Sequence, residues 1–154
     1  MTVAPDARAR KDDAVSPLAS SLPTDGVTFL LTDIEGSTRA WQAAPEAMTA
    51  PVARHYEILD SAIAVHGGMR PQEQGEGARL VAVFRTAADA VGAALAAQLA
   101  LCRELPDLPV RMALHSGDAM LRNEHNYVGL TIIRCARIRA CGHGKQILLS
   151  DDTA

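Results

Sequence analysis

The spacing of apolar residues changes along this 154-residue chain, and each change marks an element. Val27–Thr32 is almost continuously apolar, β-branched or aromatic, which predicts a buried strand ending at Asp33. Helical spacing covers about Ala43–His66, as one helix or two, and stops at Gly67-Gly68. A short strand, Met69–Gln74, then meets the turn Gly75-Glu76-Gly77 and a second strand, Arg79–Phe84, which together predict a hairpin. From Thr86 to about Glu104 an Ala/Leu-rich stretch predicts a helix ending before Pro106. A strand at Val110–His115, a shorter one near Ala119–Leu121, a helix over about Leu130–Ala140 and a last strand at Gln146–Leu149 complete the series. The order β-α-β-β-α-β with additions predicts an α+β, ferredoxin-like sandwich. Helices on one face of such a sheet would leave the other to be covered, and dimerisation is one way to cover it.

Residues 1–23 are rich in Ala, Asp, Arg, Ser and Pro without any apolar period, so a disordered leader is expected there. The remainder, 24–154, reads as one domain. Its last residues, Ser150-Asp151-Asp152-Thr153-Ala154, look like the start of a helix, so the domain is expected to be C-terminally truncated from a longer polypeptide.

Composition narrows the function classes. Apolar residues make up 48% of the chain but aromatics only 3%, so the core must be built from Ala, Val, Leu and Ile. A net charge of −3 argues against a nucleic-acid-binding domain. No apolar run approaches the roughly 18 residues of a membrane span, and no signal peptide is visible. Cys102, Cys135 and Cys141 have no metal-binding spacing, and their odd number suits a reducing, cytoplasmic setting. The five histidines lack HExxH-type spacing, and there is no GxxxxGK phosphate loop. His115-Ser116 has no acid placed in sequence to complete a triad and reads as structural.

Candidate chemistry lies in three segments. Asp33 ends the first strand and is followed by the small-residue turn Ile34-Glu35-Gly36-Ser37-Thr38, whose backbone amides suit a phosphate while the carboxylate suits a cation. Glu35 itself reads as an exposed turn acid. The second segment is Glu73-Gln74-Gly75-Glu76-Gly77-Ala78, and the third is Asn126-Tyr127-Val128-Gly129 leading into Ile132-Ile133-Arg134-Cys135-Ala136-Arg137. Together with Val110-Arg111-Met112-Ala113-Leu114-His115-Ser116-Gly117, they resemble the catalytic domain of class III nucleotidyl cyclases. The likeness is to a divergent actinobacterial branch and spans about residues 24–154.

That resemblance implies a head-to-tail dimer with composite sites, two divalent ions (Mg or Mn) and ATP or GTP as substrate, cyclised with release of pyrophosphate. It also implies a role for each matching position. Asp33 matches the first metal aspartate. The second falls, by counting back from Phe84, on Ala78, which has no donor atom. The purine-reading positions fall on Gln74 and Asn126, whose amides both donate and accept. The transition-state asparagine falls on Ile133, and the arginine one turn later is Arg137. Glu76, two residues before Ala78 on the same face of a strand, is a nearby acid that could replace the missing ligand. Without the resemblance, Arg134, Arg137 and Arg139 read as a solvated basic helix face.

The reading that follows is a catalytically degenerate cyclase homology domain, serving as a dimerising or nucleotide-sensing module in signal transduction. The partner chain would be a second copy or an active cyclase. Two alternatives remain: a weak Mn-dependent adenylyl or guanylyl cyclase, and a protein-interaction domain without nucleotide binding.

Overall fold

The computed structural model describes residues 22–71 and 78–154. Strand β1 (Val27–Ile34) lies at the centre of a four-stranded sheet, flanked antiparallel by β2 (Leu80–Phe84) and β3 (Val110–Gly117). Strand β6 (Ile147–Leu149) extends the sheet parallel to β3, giving the order β2-β1-β3-β6. Two short strands, β4 (Met120–Asn123) and β5 (Asn126–Val128), form a separate antiparallel ribbon. The helices among the described residues are α1 (Ser37–Ala43), α2 (Pro45–Val65), α3 (Ala87–Glu104) and α4 (Leu130–Cys141).

All eight residues of β1 are buried, because the sheet is covered on both faces. On one face Leu30, Phe84, Met112 and Leu114 pack with α2 and α3, where Ala90, Ala93, Ala94 and Ala97 let the helix approach closely. On the other face Phe29, Leu31, Val83 and Ala113 meet Cys135 of α4 and Tyr127 of β5. The Phe29 and Tyr127 rings stand edge to face at 4.9 Å. Burial pushes both the Cys135 thiol and the Tyr127 phenol up to about 12. The α+β class is as expected, but the idea of a bare second face is corrected: α4 and β5 cover it within the same chain. The sequence carries the reason, since a strand buried on both sides reads as a continuous apolar run rather than an alternating one.

Local differences follow the same logic. The helical stretch divides into α1 and α2 at Ala44, where Pro45 fits the first turn of the second helix. Met69 forms an antiparallel bridge to Val83, the pairing that the expected hairpin requires. The other side of that hairpin, with Gln74 and Glu76, lies outside the described residues, as does nearly all of the expected leader. Strand β5 was missed because Asn126-Tyr127-Val128 is too short to show a period. The C-terminal Ser150–Ala154 is a hydrogen-bonded turn on Ser150 O rather than an established helix. Among the described residues no helix is long and apolar enough to cross a membrane.

Candidate functional site

Asp33 sits one residue before the end of β1, at the mouth of a cleft of about 680 Å³. Antiparallel pairing sets its surroundings. Thr32 stands opposite Leu80 of β2, so Ala78 and Arg79 fall along the same wall as Asp33. On the other side Asp33 is paired directly with Arg111 of β3.

That second pairing decides the chemistry. Arg111 donates from Nε to Asp33 Oδ1 at 2.5 Å and from Nη2 to Oδ2 at 2.9 Å, a two-pronged guanidinium–carboxylate contact. Arg139, buried on α4, brings its Nε to 3.5 Å from Oδ2 and donates from Nη1 to Thr32 O at 3.4 Å. Both carboxylate oxygens are therefore held by arginines of this chain. The hydrogen bond to Asp33 raises Arg111 above its ordinary pKa. Burial lowers that of Arg139, and the neighbouring Arg79 and Arg111 charges add to the lowering.

A divalent ion at this place needs a free carboxylate and, in the two-metal arrangement the resemblance implies, a second one. Asp33 is neutralised, Ala78 is an apolar side chain on the cleft wall, and no three metal-binding side chains cluster among the described residues. The described donors do not fit a divalent cation. Glu76, the alternative ligand, lies outside the described residues.

Of the remaining candidate positions, the described ones Asn126, Ile133 and Arg137 do not line the Asp33 cleft. Asn126 is buried at the start of β5. Ile133 is 46% exposed on α4, and Arg137 is exposed on the same helix. Because Arg139 faces Asp33, Arg137 two residues earlier is turned about 200° around the helix axis, away from it. The expected solvated arginine face is thus divided: Arg134 and Arg137 are exposed, whereas Arg139 is a buried partner of Asp33. The turn after β1 is also less open to an anion than its sequence suggests, since Glu35 N donates to Pro109 O. Glu35 is no idle turn acid either. Its Oε2 accepts from Gly144 N at 2.7 Å, which, with His143, holds its carboxyl below the usual range.

An acid approaches His115, which the sequence did not lead us to expect. His115 Nδ1 lies 2.7 Å from Ser150 Oγ and 3.9 Å from Asp152 Oδ2, so the hydroxyl and the acid face the same nitrogen rather than opposite ones as in a triad. Thr28, Ser116 and Thr153 extend this hydroxyl chain and dock the C-terminal turn on the sheet.

Sequence reasoning missed Arg111 and Arg139. A signal was present for Arg111: a charged residue one place into an otherwise buried strand requires a counter-charge nearby.

Comparison with known proteins gives the fold a context. No family model matches this chain. An uncharacterized protein of Mycobacterium tuberculosis is 43% identical over 131 residues, which is 85% of this chain and 45% of that protein. The chain therefore spans less than half the length of that relative. Among solved structures, an adenylate cyclase of Trypanosoma brucei in its monomeric state superposes with a TM-score of 0.78 at 23% identity, over 89% of this chain and 78% of that one. The guanylate cyclase domain of a Catenaria anguillulae protein, solved in complex with GTP, gives 0.74 at 20% identity, over 86% and 82%.

Proposed function

This chain has the fold of the class III adenylate/guanylate cyclase catalytic domains, and from that premise we propose that it is a catalytically degenerate member of that type, acting as a nucleotide-responsive, dimerising module in signalling. The observation that carries this reading is the occupation of both Asp33 oxygens by Arg111 and Arg139. A cyclase of this type needs that carboxylate for its metal ions, and Ala78 offers no second ligand. Ile133 has no group with which to orient a ribose or stabilise the transition state. Loss of one such polar contact costs roughly 10²–10³-fold in rate in other enzymes.

The placement of Arg137 supports dimerisation. It is exposed on the side of α4 away from Asp33, so any site that uses both requires two chains. The second chain is another copy, or an active cyclase whose site Arg137 completes.

The test is production of cAMP and cGMP from Mn²⁺-ATP and Mn²⁺-GTP, with wild type beside Asp33→Ala. The expected result is no formation in wild type above the variant. Turnover that disappears in Asp33→Ala would overturn the degenerate reading and identify a weak cyclase with an unconventional second metal ligand. If the reading holds, Ala78→Asp with Ile133→Asn asks whether the scaffold can still be made to cyclise.

A further inference from the structure

Among the described residues the Asp33 cleft does not fit a metal ion but carries positive charge. Arg111 and Arg139 surround one carboxylate, and Arg79 lies close enough to Arg139 for their charges to repel. Arg39 lines the same cleft from α1, and both Arg39 and Arg79 are exposed. Arg39, Arg79 and Arg111 thus line a cleft in which Asp33 is the single acid among the described residues, with Arg139 beside Asp33 and Glu35 a more distant negative neighbour of Arg111. Asp33 is already saturated by Arg111, which leaves the charge of Arg39 and Arg79 available to an anion. Their planar donor sets match phosphate oxygens, and the hydroxyls of Ser37 and Thr38 lie along the same wall.

We propose that this cleft binds the polyphosphate chain of a nucleoside triphosphate without a divalent ion. Arg39 and Arg79 contact the phosphates, and the Arg111–Asp33 pair fills the place a metal would take. This rests on the nucleotide-responsive reading above and specifies its ligand: the free, fully charged triphosphate rather than its metal complex. A bound divalent ion cancels part of the ligand's charge and is itself repelled by the arginines, so metal should weaken binding instead of enabling it.

Trp41, the sole tryptophan of the chain, lines the cleft and provides the signal. Its fluorescence is titrated with ATP, GTP and inorganic triphosphate, each in EDTA and each in excess Mn²⁺. Saturable binding of a nucleotide in EDTA, weaker in Mn²⁺, is the expected result. Arg39→Gln/Arg79→Gln should reduce the affinity in EDTA by about tenfold or more for each charge removed. Both side chains are exposed, so the thermal midpoint should not move, and circular dichroism checks that. Binding that requires Mn²⁺ overturns the metal-free site while leaving the nucleotide reading intact. Inorganic triphosphate binding as tightly as ATP and GTP in EDTA supports the anion cleft and removes the nucleotide reading. Absence of binding in both conditions overturns both, and an unchanged affinity in the double variant overturns the assignment to Arg39 and Arg79.

Discussion

Replacing Asp33 by Asn keeps the shape of the side chain and removes its charge, which separates a structural ion cluster from a poised metal site. The Asp33 and Arg139 side chains are 11% and 10% exposed, while Arg111 is 23% exposed and keeps some contact with water. Removing one partner of a buried pair costs about 3–5 kcal/mol, because the remaining charge is left uncompensated. Arg111 can recover part of its hydration, so the loss should fall near the lower limit, about 3 kcal/mol. For a domain of this size that corresponds to a drop of roughly 6–12 °C in Tm. Thermal unfolding followed by far-ultraviolet circular dichroism in EDTA measures it directly. A carboxylate held ready for metal ions, with no guanidinium upon it, behaves in the opposite way: in EDTA its neutralisation leaves stability unchanged or raises it. A Tm for Asp33→Asn within about 2 °C of wild type would refute the ion-cluster argument, because a stranded buried charge could not then be costing several kcal/mol. Asp33→Asn combined with Arg139→Met should recover part of the loss, because the stranded charge is removed with its partner.

Other expectations concern the core. Of the three cysteines, exposed Cys102 and Cys141 should react promptly with a thiol reagent in the native state, whereas Cys135, buried and with its thiol pushed up to about 12, should react only on unfolding; three fast equivalents would contradict its burial. His55 is fully buried, and desolvation is the main cause lowering its pKa from 6.5. The unfolded chain therefore takes up a proton before the folded one does, so stability is full above the unfolded value and falls as pH drops below it, by at most about 1.4 kcal/mol per pH unit. Urea titrations between pH 7.5 and 5 should show this slope, and His55→Leu should reduce it. Gly68→Ala should destabilise by about 1–3 kcal/mol, because a Cβ there would lie 2.5 Å from Phe84 Cε1 and 2.8 Å from Ile63 Cγ2; a neutral result in the same titration would show that the Phe84 ring can move aside.

Most elements were legible from local pattern, because helix and strand periods are written in residues close together; the three-residue β5 was too short to show one. The Ala/Leu-rich α3 emerged where its composition placed it, and the apolar run of β1 announced its strand. Glycines and prolines marked most of the stops. The absence of donors at Ala78 and Ile133 was equally readable, since a side chain that lacks a polar atom lacks it in any fold. Tertiary structure alone decided what Asp33 does. Its partner Arg111 is 78 residues away, and only the antiparallel register of β1 and β3 sets them opposite each other. Three arginines on one helix looked equivalent in sequence, yet the rotation of α4 against the sheet turned Arg139 inward and left Arg134 and Arg137 outside. Local propensity fixes each element; the charges that meet between elements depend on register and packing angle, which no short stretch of residues encodes.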